Sequence, residues 1–105
     1  MSAVPEPGAV GPASGPRDAV LADLRARIDA VDDILAGLLE YRADLTVQVQ
    51  RHKPLGGKAN RDHQREAEIV ARMARRAPAL GAVRLQRIMH TIIEAGLDLA
   101  EERTS

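Results

Sequence analysis

The chain has no cysteine, no phenylalanine and no tryptophan, and Tyr41 is its one aromatic residue. Without cysteine there is no disulfide and no thiolate chemistry. With so few aromatics, nucleic-acid binding by base stacking is disfavoured. The same scarcity disfavours a β-rich core. Net charge is lacking too: 15 basic residues stand against 15 acidic ones. A general polyanion-binding surface is therefore not indicated. No apolar run is long enough to span a bilayer. The N-terminus lacks the basic-then-apolar order of a secretory signal. The expectation is a soluble, cytoplasmic protein.

What remains is rich in Ala, Leu, Ile, Val and Arg, a composition that favours an aliphatic helical core. The length, 105 residues, suffices for one domain. Residues 1–17 hold prolines and glycines among Ala, Ser and Val and read as a disordered tail. Residues 18–105 read as one helical domain.

A first helix is expected from an N-cap at Asp18 to about Lys53, stopped by Pro54 and Gly56-Gly57. Written as heptads from Leu21, its first positions are Leu21, Ile28, Leu35, Arg42 and Val49, and its fourth positions Leu24, Val31, Leu38, Leu45 and His52. This is an apolar seam on a helix of about 50 Å. A compact monomer of this size has a radius of gyration of about 13 Å. Such a helix projects beyond a monomeric core, so the seam needs a second chain, most simply in a two-fold dimer.

A loop at Leu55–Ala59 leads to a second helix, capped by Asn60 or Asp62 and running to about Arg76. Asp62, Glu66, Ile69 and Met73 share one of its faces. After a loop around Pro78, a third helix is expected from about Ala82 to Glu102. Leu85, Met89, Ile92 and Gly96 form its stripe, flanked by Ile88, Ile93 and Ala100. Gly96 inside a helix costs about 1 kcal/mol against Ala, which points to close approach by a ligand or another helix.

Arg42 interrupts the seam. A guanidinium on an apolar face needs an anion there, either a carboxylate of the chain itself, such as Glu66, or a ligand. Lys53 lies eleven residues on, about 16 Å along the same face, and the second helix returns Asp62 and Glu66 from beyond the loop. Arg25 lies about 25 Å from Arg42 along the axis and serves the same site only from an antiparallel partner chain. Each group also has an ordinary role: Lys53 at a helix end, Asp62 as a cap, Arg25 and Arg65 in solvent. His52, His63 and His90 have no metal-ligand spacing, and no metal site is expected.

Together, Arg25, Arg42, Lys53, Asp62, Arg65 and Glu66, at separations of 17, 11, 9, 3 and 1, resemble the pattern of the all-helical, AroQ-type chorismate mutases. The segments Leu24-Arg25-Ala26-Arg27-Ile28-Asp29 and Arg61-Asp62-His63-Gln64-Arg65-Glu66 resemble that family's local signatures. The resemblance covers about Leu21 to Glu102. It implies an intertwined homodimer of three-helix chains that rearranges chorismate to prephenate without a cofactor. Arg25 of one chain and Arg42 of the other would each hold a substrate carboxylate. Lys53 would meet a carboxylate and the ether oxygen, and Asp62 and Glu66 the ring-hydroxyl region. Arg65 would help through its backbone or by anchoring the loop. The same register puts Gly96 and Ala100 on the substrate wall. There Ala100 stands where relatives commonly carry a Gln or Glu beside the ether oxygen, a missing donor of about 3 kcal/mol. Glu101 would reach the site only if the helix register shifts. Relatives on this fold act on 4-amino-4-deoxychorismate or split isochorismate, and some depend on a partner enzyme of the aromatic pathway. A non-catalytic helical dimer is the alternative from another class.

Overall fold

The computed structural model describes residues 15–53 and 61–104. Among these residues there are three α-helices and no strand: α1 (Pro16–Arg51), α2 (His63–Arg76) and α3 (Gly81–Thr104). The expected all-α class with a long first helix is thus found. The expected loop at Leu55–Ala59, the stop at Pro54 and Gly56-Gly57, the alternative cap Asn60 and the tail as far as Ser14 lie outside the described residues. The chain divides into two compact units, residues 1–37 and 38–105, with the boundary inside α1.

α1 starts earlier than its sequence suggests. Asp18 is not the cap but an acidic residue of the first turn. The Gly15 carbonyl accepts from the Ala19 N–H at 3.1 Å, which puts Gly15 at the cap and Pro16 at the first helical position. Proline fits there because that N–H has no helical partner to lose. Pro16 and Arg17, read from the sequence as the end of the tail, are helical. α1 also ends two residues sooner, at Arg51. His52 N–H and Lys53 N–H turn back to Val49 O and Gln50 O, the tighter pattern of a closing turn. The His52 ring, expected in the seam, is exposed, with Nδ1 2.8 Å from the Gln48 carbonyl.

In the N-terminal unit every described residue is exposed. That includes the apolar residues of α1: Val31 keeps 61% of its surface and Ile34 65%. A helix with this pattern has an uncovered apolar face.

The C-terminal unit holds the core. α2 packs on α3, and Val47, Ile69, Leu85, Met89 and Ala100 are buried. Of the expected inward stripes, Ile69, Leu85, Met89 and Gly96 are buried, Met73 and Ile92 half-buried, and Asp62 exposed. α1 meets this core through a face the heptads do not mark. Ala43, Thr46, Val47 and Gln50 lose surface, whereas the seam residues Leu45 and Val49 stay exposed. The spacing of three, four and seven is ordinary helix-face periodicity. It is offset from the seam and leaves the seam open.

Asp62 caps α2, its Oδ1 accepting from Arg65 N–H at 3.0 Å. α2 closes at Ala77, whose N–H donates to Met73 O, and Pro78 follows. Gly81 opens α3 at a φ of 80°, which glycine adopts without a Cβ clash. Gly96 faces α1: a Cβ there would stand 3.2 Å from Thr46 Oγ1 and 3.4 Å from Thr46 Cβ. The close approach anticipated from the sequence is a helix contact. Gly96→Ala is expected to stay within about 1 kcal/mol of wild type, because improved helix propensity offsets the crowding of Thr46. Gly96→Leu is expected to lose about 1–3 kcal/mol by overpacking. Chemical denaturation reads both, and a Gly96→Leu variant as stable as wild type would show that the helices are not closely packed there.

Candidate functional site

The C-terminal unit contains a cavity of about 320 Å³ framed by the last three turns of α1, the segment entering α2, and α3. α1 supplies Arg42, Leu45, Thr46, Val49 and Gln50, and Lys53 stands two residues past its end; the α2 side supplies Arg61, Asp62, Arg65, Glu66 and Ile69; α3 supplies Ile93 and Leu97. Five residues expected at the site, Arg42, Lys53, Asp62, Arg65 and Glu66, thus meet in one space. Two others are elsewhere in this unit. Gly96 lies against Thr46, and Ala100 keeps only 2% of its surface, within the core. The α3 wall of the cavity is apolar, made by Ile93 and Leu97. Arg25 belongs to the N-terminal unit and is exposed.

Among the described residues four cationic and two anionic side chains line the cavity, an excess of two positive charges. Both carboxylates already have partners in the chain. Asp62 serves as the cap of α2. Glu66 does not pair with Arg42. It is gripped by Arg61, with Nε donating to Oε2 at 2.9 Å and a terminal nitrogen to Oε1 at 2.7 Å. The Arg61 guanidinium holds the Glu66 carboxyl below the ordinary glutamate range, against the opposing effect of burial. Arg42 is half-buried, and no ion pair forms on it among the described residues. A guanidinium in that position has its planar donor fork available for a carboxylate. The Thr46 hydroxyl is committed to the Arg42 carbonyl at 3.2 Å. Among the described lining residues there is neither a thiol nor an activated hydroxyl, and what they offer is placed charge and shape.

A larger cavity, about 550 Å³, lies between α2 and α3 and shares Arg61, Glu66 and Ile93 with the first. Its floor is apolar, with Val70, Met89 and Ile93, and its one arginine is the one already paired with Glu66. It has the greater volume but not the charge to hold an anion, so the smaller cavity is the stronger site.

Sequence reasoning missed three polar lining residues and the apolar Leu97. Arg61 precedes the α2 cap and reaches Glu66 five residues on, a spacing that helical periodicity does not flag. Thr46 and Gln50 sit on the α1 face hidden by the attention to heptads. The Gln50 Oε1 is buried without a hydrogen-bond partner.

The described residues form an all-helical protein with a cavity in which cationic side chains outnumber anionic ones. Residues 24–101 match the family model of chorismate mutase type II, and the chain belongs to that family. Comparison with curated proteins and with solved structures gives no match. Among the described residues no helix is long and apolar enough to cross a membrane.

Proposed function

We propose that the protein is a chorismate mutase that converts chorismate to prephenate in the cytoplasm. The observation that carries this reading is the half-buried Arg42, which has no ion-pair partner among the described residues, in a cavity whose described lining carries two excess positive charges. Chorismate is a dianion, and its rearrangement is pericyclic. The reaction needs no nucleophile and no proton transfer. It needs the substrate held in a compact chair-like form and donors placed where charge grows on the breaking C–O bond. In this reading Arg42 binds one carboxylate, and Lys53 binds a carboxylate and the ether oxygen. Asp62 and Glu66 meet the ring-hydroxyl region, and Arg65 supports the segment entering α2. Arg25 completes the site from a second copy of the chain, which covers the open seam of α1. Residues 18–105 form the catalytic domain. With Ala100 buried in the core and Ile93 and Leu97 on the wall, α3 brings no donor to the ether oxygen, so Lys53 carries that task.

The test is turnover by the purified protein of chorismate, 4-amino-4-deoxychorismate and isochorismate, each supplied separately and with the product identified. Prephenate from chorismate, with little conversion of the other two, is the expected result. Pyruvate release from isochorismate as the main activity would transfer the reading to a lyase. A folded protein inert on all three would refute it.

A further inference from the structure

The Arg61–Glu66 pair raises a question that substrate binding alone does not answer: why a carboxylate lines a cavity built for an anion. Arg61 lies outside α2, just before its cap, so helix spacing does not place the two side chains together. Their contact is nevertheless two-pronged, at 2.7 and 2.9 Å, and both side chains keep 19% of their surface. We propose that Arg61 is a positioning residue of the substrate site: its guanidinium fork closes on both oxygens of Glu66 and presents that carboxylate to the cavity as a fixed acceptor, so that the part of the ligand meeting Glu66 must donate a hydrogen bond. The inference rests on the reading of this cavity as the substrate site.

The surrounding charges fit that role. From α3, Glu94 approaches Arg61 at 3.7 Å and His90 Nδ1 at 3.5 Å. His90 also stands 3.5 Å from Glu94. From α2, His63 Nδ1 stands 3.9 Å from the Glu66 Oε1. Arg42 of α1, Lys53 just past its end and Arg65 of α2 share the cavity with Glu66. Arg61 thus sits between two carboxylates and keeps Glu66 from facing an incoming dianion as an uncompensated charge. A bidentate fork also fixes the carboxylate plane, which a single lysine ammonium does not. An ionised carboxylate only accepts, whereas a protonated one gains a donor. Loss of Arg61 would therefore change what Glu66 can recognise.

The pH dependence follows in sign. The Glu66 carboxyl is lowered in the folded chain by Arg61. Its contribution is fully present above the ordinary glutamate value of about 4.3 and is lost as pH falls through the lowered folded value. Wild-type kcat/KM should therefore stay flat down to about pH 5. In Arg61→Gln the two hydrogen bonds and the guanidinium charge are gone, while burial and the weaker attraction of His63 and His90 remain, so the acid limb should move up. A fall of about twofold or more at pH 5, largely recovered by pH 7.5, is expected. Arg61→Lys should lie between, with KM affected more than the acid limb. In a Glu66→Gln background, Arg61→Gln should add less than about twofold, since Arg61 acts through Glu66.

Circular dichroism first establishes that each variant is folded. NMR titration of the Glu66 carboxyl carbon then reads the pair without catalysis, and its midpoint should rise by about one pH unit or more in Arg61→Gln. An unchanged midpoint would overturn the proposal. So would a loss of activity that is independent of pH and fully additive with Glu66→Gln. If the wild-type protein turns over none of the three dicarboxylates, the functional reading fails on its own, and the NMR midpoint still decides for or against Arg61.

Discussion

Arg42→Ala is expected to lower kcat/KM for chorismate by about a hundredfold or more while the protein stays folded and keeps its oligomeric state. Truncating one partner of a desolvated, hydrogen-bonded charge pair costs about 2–5 kcal/mol, and here the missing partner is the substrate carboxylate. The effect should fall on binding and on the transition state together, because the carboxylates are present in both. KM should rise as well as kcat fall. Stability should not suffer, because no ion pair to Arg42 forms among the described residues and Glu66 is satisfied by Arg61. Removing Arg42 therefore leaves no orphaned carboxylate and reduces the crowding of positive charge around Lys53, Arg61 and Arg65. Arg42→Lys should recover part of the loss, since an ammonium keeps the charge but not the planar fork. Kinetics on chorismate with parallel thermal melts check all of this. The opposing pattern is definite: Arg42→Ala unfolding like a core deletion, with Arg42→Leu both stable and active, would make Arg42 a structural residue.

How far the sequence showed this site depends on which period each residue obeys. Arg42 was visible because it breaks an apolar series, and the cap at Asp62 because Asp before a helical pattern has a mechanism. The helix class and the order of three helices followed from aliphatic periodicity. α1, however, carries two faces, and the heptads of large residues drew attention to only one of them. The face that packs within the chain uses Ala43, Thr46, Val47 and Gln50, mostly small or polar, so its amphipathic signal is weak. The start of α1 was misplaced for a related reason: Asp18 looks like a cap, but Pro16 after Gly15 starts the helix equally well and comes first. The partner of Glu66 was hidden because Arg61 reaches it from outside the helix. No periodic rule describes a contact that depends on how the chain enters a cap. On α3 the stripe was correct, but periodicity does not distinguish a residue facing a cavity from one facing another helix. Gly96 and Ala100 turn to the core, and Ile93 and Leu97 to the cavity.

Placing an aspartate in the open seam, as in Ile28→Asp with Leu35→Asp, is expected to abolish both dimerisation and activity. Ile28 keeps 57% of its surface in the single chain and Leu35 46%, so neither supports the chain's own core, and a folded chain should survive the change. In a dimer, by contrast, both would be covered. Burying a large aliphatic side chain contributes about 1.5–3 kcal/mol. Half a dozen along α1 can offset an association cost of about 4–15 kcal/mol, but not with two buried, unpaired carboxylates among them. Light scattering should therefore give a dimer for wild type at micromolar concentration and a monomer for the double variant. A stable wild-type monomer would end the dimer proposal. Whether the sites are shared is a separate matter, and Arg25 decides it. Arg25 is exposed on the unit that does not hold the cavity, so Arg25→Ala should leave the dimer intact and inactive. Mixing it with Arg42→Ala should restore one complete site in each mixed dimer, or about a quarter of wild-type activity after random exchange. Each mixed dimer pairs an intact Arg25 from one chain with an intact Arg42 from the other. If exchange is demonstrated and no activity returns, Arg25 does not complete the partner's site. An Arg25→Ala variant with full activity would place the whole site within the C-terminal unit.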